Sequence, residues 1–388
     1  MSVSRLSHIS PIGVEQMALL ADALADPEVL RLENLDTDLP PPPEALSASL
    51  AAITRDDANS YLPFLGQNEL RQLATQHVNQ TACTDYDWKT ESLISAGGLS
   101  GITNCLLALL EPGDGVLMTD PIYIGLINRV RLAGGVPHFV PLQPHTEGWR
   151  LDVSALASID PQSIKVMLLM SPSMPTGAVF NPMEWDALLD FCRQSDAWIL
   201  LDTAMERILF DGLSVFHPAR RPGFRNRVIT VGAASKEFRM IGWRVGWVVG
   251  PARILADVAR VSISNVVCQT GIAMPAVAAA FKAGSAGIPA CVAEWQARRD
   301  ILMEQLYAFQ LIRPLGGWSL LWDTRSLGLS PEVLSKRLLE RGKVAATPMT
   351  GWGPSGQHYL RLVFSNEPIG RLSGLRERIQ RVLGNVQS

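Results

Sequence analysis

The residue best suited to covalent chemistry is Lys236, within the segment GAASKEFRMIGWRVGW at 232–247. Small residues precede it, and Arg244 follows between two glycines, so the backbone can crowd closely around both side chains. A lysine that is partly desolvated beside a second cation has a lowered pKa, and its amine can then attack a carbonyl. Arg244 suits a phosphate, which a guanidinium holds through two parallel hydrogen bonds. A lone lysine is usually a solvated surface charge, but these neighbours favour the chemical role.

Two further stretches place polar groups directly after apolar runs. Asp202 follows four apolar residues in AWILLDTA, and a carboxylate in such a place must be paired or hydrogen-bonded. The simpler interpretation of this aspartate is a helix N-cap. The stretch SAGGLSG puts Gly98 and Leu99 at a turn that opens a helix, where backbone N–H groups can face an anion. Paired glycines in such turns often serve packing alone.

Strands alternating with helices must position these residues. The apolar runs typical of strands are ESLISAGG, GVLMTDP, IKVMLLMSP, AWILLDTA and RVITVGAAS. Ile102, Cys105, Leu106 and Leu109 have the spacing of an amphipathic helix between the first two runs. This alternation predicts an α/β fold with a doubly wound, mostly parallel sheet. Ligands in such sheets bind at the carboxyl ends of the strands, where the residues above lie.

The pattern changes after about residue 283. A long helix is predicted in PACVAEWQARRDILMEQLYAF, and GGWSLLWDT and HYLRLVFS are typical of strands in a smaller α+β unit. The proline cluster LPPPPEAL predicts a stiff connection after an N-terminal arm. We therefore expect residues 1–45 to form the arm and part of the small domain, residues 46–282 the large domain, and residues 283–388 the small domain.

Composition narrows the class of protein. The 388 residues carry a formal net charge of −3, which gives no reason to expect nucleic acid or an anionic membrane as a partner. Five widely spaced cysteines without a CxxC pair support neither a disulfide framework nor a zinc site, so no metal is expected. The first residues lack the apolar run of a secretory signal, and a cytoplasmic enzyme with reduced thiols is the simplest expectation.

The segment around Lys236 resembles the cofactor-lysine motif of the class I/II aminotransferases, which are fold type I pyridoxal 5'-phosphate enzymes. That motif is Ser-Lys, five variable residues and Gly-x-Arg-x-Gly, and its spacing is matched in full. The resemblance implies a PLP-dependent aminotransferase that moves an amino group between an amino acid and a 2-keto acid by a ping-pong mechanism. It further implies that Lys236 forms the internal aldimine and shuttles the proton at the substrate Cα.

The same resemblance assigns roles to other positions. The stretch DPIYIG matches the segment that carries the ring-stacking aromatic, here Tyr123, and HYLRLVFS matches the carboxylate-binding segment, here Arg361. Tyr61 in SYLPFLGQNELR matches the tyrosine that reaches the neighbouring subunit's cofactor, which implies a homodimer with shared sites. A core tyrosine and a paired surface arginine are the simpler interpretations of the first two residues. The cofactor-binding residues that the resemblance implies are Tyr61, Gly98, Leu99, Tyr123, Met174, Asp202, Met205, Ser235, Lys236 and Arg244.

Several positions depart from the family pattern. Met174, in the turn SPSMPTGA, stands where the family has an asparagine, and Met205 stands where it has a tyrosine. Both usual donors to the phenolic oxygen of the cofactor are thus replaced by thioethers, which cannot donate a hydrogen bond. Ala233 replaces a phosphate-binding serine, and Leu35 takes the place of a glycine in a loose alignment.

The paired methionines support a hypothesis about the cofactor imine. Without donors, the phenolate holds the imine proton more strongly, so the imine pKa should lie above that of common family members. Ser173, Thr203 or a water could replace the lost donors, and simple packing of two methionines is an equal alternative. Other PLP chemistry (elimination, decarboxylation, cyclisation or oxidation) and a non-catalytic regulatory role are the alternative functions. For the substrate side-chain pocket, the resemblance points only to the arm segment SPIGVEQM and to the surroundings of Trp318.

Overall fold

The structure is a computed structural model that describes residues 3–284, 287–309 and 311–384. Its strands are β1 (Leu30–Arg31), β2 (Ser92–Ser95), β3 (Gly115–Asp120), β4 (Val136–His145), β5 (Gly148–Leu151), β6 (Ile164–Met170), β7 (Trp198–Asp202), β8 (Val228–Ala233), β9 (Gly246–Val249), β10 (Ser319–Asp323), β11 (Val344–Ala345), β12 (Thr347–Pro348) and β13 (Tyr359–Val363). Its α-helices are α1 (Gly13–Leu24), α2 (Pro43–Ile53), α3 (Asn68–Ala82), α4 (Gly98–Leu109), α5 (Ile124–Leu132), α6 (Val153–Ala157), α7 (Pro182–Ser195), α8 (Ala252–Asn265), α9 (Met274–Lys282), α10 (Ile288–Gln305), α11 (Pro331–Arg337), α12 (Ile369–Leu372) and α13 (Leu375–Leu383).

The central sheet has eight strands in the order β2-β9-β8-β7-β6-β3-β4-β5. The pairs β7–β8, β6–β7, β3–β6 and β3–β4 are parallel. The pairs β8–β9, β2–β9 and β4–β5 are antiparallel. The prediction of a mostly parallel, doubly wound sheet is confirmed, with the antiparallel pairings confined to its two sides.

The apolar runs of the central strands fit a sheet that is covered on both faces. In β6, Leu168 packs into one buried cluster with Leu200 and Ile102, whereas Leu169 packs into the cluster on the opposite face. Successive side chains of a strand point to opposite faces, so an unbroken apolar run is expected only where helices cover both sides. Helices α4, α5 and α8 contribute to the first cluster.

The small unit is built around a three-stranded sheet with the order β10-β13-β12. The two strands predicted there, now β10 and β13, pair antiparallel with each other. The predicted long helix is α10, which ends at Gln305. From the other end of the chain, β1 pairs parallel with β11, so the N-terminal segment packs with the C-terminal one.

The proline cluster has a second role besides connection. Helix α2 begins at Pro43, with Pro42 at its N-cap, because proline suits the first turn of a helix, where no N–H bond is lost. No described helix has the length and apolar character needed to cross a bilayer.

Candidate active site

A cavity of about 520 Å³ lies at the carboxyl ends of β6, β7 and β8. The three strands run parallel, so the segments that follow them meet at one edge of the sheet. All the predicted site residues except Tyr61 line this cavity: Gly98, Leu99, Tyr123, Met174, Asp202, Met205, Ser235, Lys236, Arg244 and Arg361.

Lys236 lies three residues beyond the end of β8. Its Nζ donates a hydrogen bond to the carbonyl oxygen of Leu35 at 2.6 Å and lies 5.0 Å from the centre of the Trp318 ring. Burial lowers the pKa of Lys236 to about 8, and the charges of Arg361 and Arg244 act in the same direction. Near neutral pH a useful fraction of this amine is therefore unprotonated and nucleophilic.

Asp202 is the last residue of β7 and is buried. Its Oδ1 accepts a hydrogen bond from the Ala204 N–H at 3.0 Å, and no described side chain forms an ion pair with it. Burial raises the pKa of Asp202 to about 6, although the Arg129 and Lys236 charges oppose this rise. A ligand that brings a cationic N–H donor to this carboxylate would remove the cost of burying it.

Arg244 lies beside the N-terminus of α4. Gly97 precedes that helix with a φ of 82°, and a side chain there would put its Cβ 2.6 Å from Nη2 of Arg244. A Cβ at Gly246 would lie 2.6 Å from the nitrogen of Gly98. The Arg244 Nη1 donates to the Ile241 carbonyl at 2.8 Å and to Oγ of Ser235 at 3.4 Å. The glycines thus allow a guanidinium and the free N–H groups of a helix to converge, which suits an anion.

Arg361 lies on β13 and is almost fully buried. Its Nη2 donates to the Glu33 carbonyl and to Oγ1 of Thr347, and its Nη1 lies 3.8 Å from Sδ of Met174. The Nε has no hydrogen-bond partner among the described residues. Burial lowers the pKa of Arg361 to about 10, still well above neutrality. A buried guanidinium with a free N–H favours an acceptor that is also an anion, and a carboxylate fits both conditions.

Met174 and Met205 are both buried in the wall of the cavity. Of the two hydroxyls that could replace the missing donors, that of Thr203 already donates to the Val231 carbonyl at 3.2 Å. The Ser173 hydroxyl is buried and has no partner among the described residues, but Ser173 does not contribute to the described cavity wall. At this part of the cavity, the wall is therefore formed by the thioether groups of Met174 and Met205.

The two tyrosines lie in different surroundings. Tyr123 lines the cavity, and its ring packs edge-on against Trp352 with 5.4 Å between the ring centres. Tyr61 is 84% exposed and lies outside the cavity wall of its own chain.

Several residues of the cavity wall were not predicted from the sequence. The arm segment named above contributes Ile12, Val14 and Glu15, but Ala18, Asn34, Leu126, Met170 and Ile241 were not anticipated. Met170 is the last residue of β6 and Ile241 lies within the motif around Lys236, whereas Ala18, Asn34 and Leu126 lie outside the strand ends and the matched motifs. Only the register of the folded chain brings them to the cavity.

The residues present fit pyridoxal 5'-phosphate. A phosphate suits Arg244, Ser235 and the first N–H groups of α4, and a protonated pyridine nitrogen suits the unpaired carboxylate of Asp202. Lys236 is the amine that could bond to the aldehyde carbon. The donor set and the raised pKa of Asp202 are the observations that support this fit.

The fold and the cavity together define a fold type I pyridoxal phosphate enzyme. The chain belongs to the class I and II aminotransferase family, which matches residues 28–379, and it is therefore a PLP-dependent aminotransferase. The match covers both the large sheet and the small unit.

Named relatives support this placement. The chain is 31% identical to a probable N-succinyldiaminopimelate aminotransferase of Mycobacterium tuberculosis, over 97% of this chain and 99% of the relative. It is 29% identical to an arginine–pyruvate transaminase of Pseudomonas aeruginosa, over 92% and 89% of the two chains. The structure of the aspartate aminotransferase from Thermus thermophilus with maleate superposes with a TM-score of 0.89 at 28% identity, covering 99% of this chain and 100% of that one.

Proposed function

We propose that the cavity residues divide the work of amino-group transfer as follows. Arg244, Ser235 and the N-terminus of α4 hold the cofactor phosphate, and Asp202 holds the pyridine nitrogen in its protonated form. When bound, PLP supplies an electron sink that makes the substrate Cα–H acidic. The observation that carries the proposal is that Lys236, Asp202 and Arg361 face one cavity, with the pKa of the lysine lowered to about 8.

Lys236 and Arg361 act on the substrate. Arg361 receives the α-carboxylate through its guanidinium, whose Nε has no described partner, and this contact orients the Cα–H. The Lys236 amine, once released from the cofactor, would take the Cα proton and deliver it to the cofactor carbon on the far side of the amino nitrogen, two bonds from Cα. Water would supply the keto oxygen of the 2-keto acid that leaves, while the amino nitrogen would stay with the cofactor. A second 2-keto acid would then accept this amino group by the same steps in reverse.

The active unit that we propose is a homodimer. Helix α2 exposes Leu46, Leu50 and Ile53 on one face, and Tyr61 and Phe64 are exposed shortly after it. An apolar stripe of this kind on the surface favours a contact with another protein copy. In such a dimer Tyr61 would reach the cofactor phosphate of the partner.

The remaining assignments are also proposals. The domain division at residues 45 and 282 is supported by the separate sheets of the two units and by the pairing of β1 with β11. The formal net charge of −3 supports the proposal that nucleic acid and anionic membranes are not partners. The five free cysteines support the proposal of a cytoplasmic location.

Reduction of the PLP-loaded protein with borohydride, followed by peptide mapping, tests the site. A pyridoxyl adduct on Lys236 is expected, and the exposed Lys282 serves as the internal control. An adduct elsewhere, or none, would reject the assignment. A panel of amino donors followed by absorbance then tests the reaction. Persistent failure to form pyridoxamine phosphate would favour elimination, decarboxylation, cyclisation or oxidation instead.

A further inference from the structure

One carboxylate of the cavity wall has no role in the amino-group transfer proposed above. The charged residues of the cavity wall are Glu15, Asp202, Lys236, Arg244 and Arg361. In the proposed function, on which this inference rests, Asp202, Lys236 and Arg244 serve the cofactor and Arg361 takes the α-carboxylate. Glu15 has no such partner, and its carboxylate makes no hydrogen bond or ion pair with any described residue.

Glu15 is held at the cavity by the way the arm is fixed. Helix α1 turns Met17 and Ala21 into a small buried cluster with Leu339 and Ala345. Oγ of Ser335 lies 3.3 Å from Sδ of Met17, which places the helix against α11. Val14, Glu15 and Ala18, in the first two turns of the same helix, line the cavity.

A second anchor fixes the start of the arm to the large unit. The Ser10 N–H donates to Oδ1 of Asn128 at 3.2 Å, and Nδ2 of Asn128 donates to the Ser10 carbonyl at 2.9 Å. The arm is thus tied to α5 as well as to the small unit. This double attachment makes residues 12–18 a built part of the cavity wall rather than a loose terminus.

The cavity that Glu15 lines also carries apolar side chains. Ile12, Val14, Leu35 and Ile241 line the same cavity, and Asn34 adds an amide whose side chain has no described hydrogen-bond partner. An apolar wall suits methylene groups, and a carboxylate near solvent suits a cation at the end of a long side chain. Glutamate and the amide oxygen of asparagine both accept hydrogen bonds, as a donor-only cation requires.

We infer that the amino donor carries a long aliphatic side chain that ends in a cation, with Glu15 as the residue that selects it. The α-carboxylate on Arg361 and the side-chain cation on Glu15 then bind at two separate parts of the same cavity. An uncharged donor of equal length would fill the apolar wall but leave Glu15 unpaired. Guanidinium and ammonium groups share the required chemistry, so the ligands tested must include both.

Acids that lack the amino group test this inference without any turnover. Calorimetric titration of the PLP-loaded protein at low ionic strength would compare 5-guanidinopentanoate and 6-aminohexanoate with hexanoate. The cationic acids should bind more tightly to the wild type. In Glu15→Gln this preference should fall about fivefold, the size expected of a partly exposed ion pair. Glu44→Gln is the matched control, because Glu44 is an exposed acid in the first turn of another helix.

The outcomes separate this inference from the proposed function. A preference that is unchanged in Glu15→Gln, or that falls equally in Glu44→Gln, overturns the role of Glu15. If the donor panel then still yields pyridoxamine phosphate from uncharged amino acids, the transferase function stands while the cationic donor is rejected. A preference for only one of the two cationic acids supports the inference and identifies the cation.

Discussion

The Nζ of Lys236 lies 2.6 Å from the carbonyl oxygen of Leu35, a residue 201 positions earlier in the chain. This contact joins the loop after β8 to the segment that connects β1 with α2. Leu35, which a loose alignment matches to a glycine of the family, thus accepts a hydrogen bond from Lys236 through its backbone carbonyl. The lysine must give up this bond when it bonds to the cofactor.

The protonation of Lys236 predicts how the cofactor-free protein takes up PLP. Only the neutral amine attacks the aldehyde, so the rate should rise with pH and level off with a midpoint near the pKa of about 8. Stopped-flow absorbance after mixing with PLP measures this rate. A midpoint near 10.5, the ordinary value for lysine, would contradict the buried position of the amine.

Asp202→Asn should affect stability and activity in opposite directions. Burial raises the pKa of Asp202 from 3.8 to about 6, so the native state binds the proton more tightly than the unfolded chain. The stability due to this group is complete below pH 3.8 and is lost as the pH rises through 6. At pH 8 the cofactor-free Asn variant should therefore be more stable, by up to about 3 kcal/mol.

Urea unfolding at pH 4 and pH 8 measures this difference, which should shrink at the lower pH. In the PLP-loaded variant, the amino-donor half-reaction should slow by about 10²–10³-fold, as when a preorganised electrostatic partner is removed. If the difference in stability between the Asn variant and the wild type is the same at both pH values, Asp202 is already paired in the folded chain.

The two methionines predict a high pKa for the Lys236 nitrogen after it has bonded to the cofactor. In the wild type the absorbance of the bound cofactor should show this nitrogen still protonated well above neutral pH. Met205→Tyr, which adds a donor, should lower the pKa. Met170→Leu is the control, because Met170 lines the same cavity and is also buried. Absorbance titration of the three proteins checks this, and a deprotonated wild type at neutral pH would reject it.

An ion pair next to the lysine, with Arg207 22% exposed and Glu237 5% exposed, should matter for stability. Glu237 is buried, and its side chain accepts hydrogen bonds from the Arg207 N–H at 2.8 Å and from its Nε at 2.5 Å. Arg207→Met would strand this carboxylate and should cost about 3–5 kcal/mol in the free energy of unfolding. Adding Glu237→Gln to that variant should recover much of the loss.

An exposed pair provides the comparison for that experiment. Arg193 and Asp190 are both exposed, so Arg193→Ala should change the free energy of unfolding by less than about 1 kcal/mol. Urea unfolding of all the variants makes the test. A small effect of Arg207→Met would show that water or another cation replaces the arginine.

The sequence alone was sufficient for the strands of the central sheet and for the chemistry of the strand ends. The runs that became β3, β6, β7 and β8 are apolar enough to be buried on both faces, which is a local property of composition. The motif around Lys236 places a lysine, an arginine and two glycines at fixed spacing, so it can be recognised from the sequence. Residues whose role depends on local backbone geometry, such as Arg244 beside its glycines, could therefore be predicted from the sequence.

Only the tertiary structure decided which distant residues share the cavity. Glu15 and Arg361 line one cavity although they lie near opposite ends of the chain, and the Leu35 contact to Lys236 has no local signature. The raised pKa of Asp202 and the lowered pKa of Lys236 likewise come from burial by packed neighbours. Contacts of this kind depend on how helices and sheets pack in space, which composition, periodicity and spacing along a single sequence do not encode.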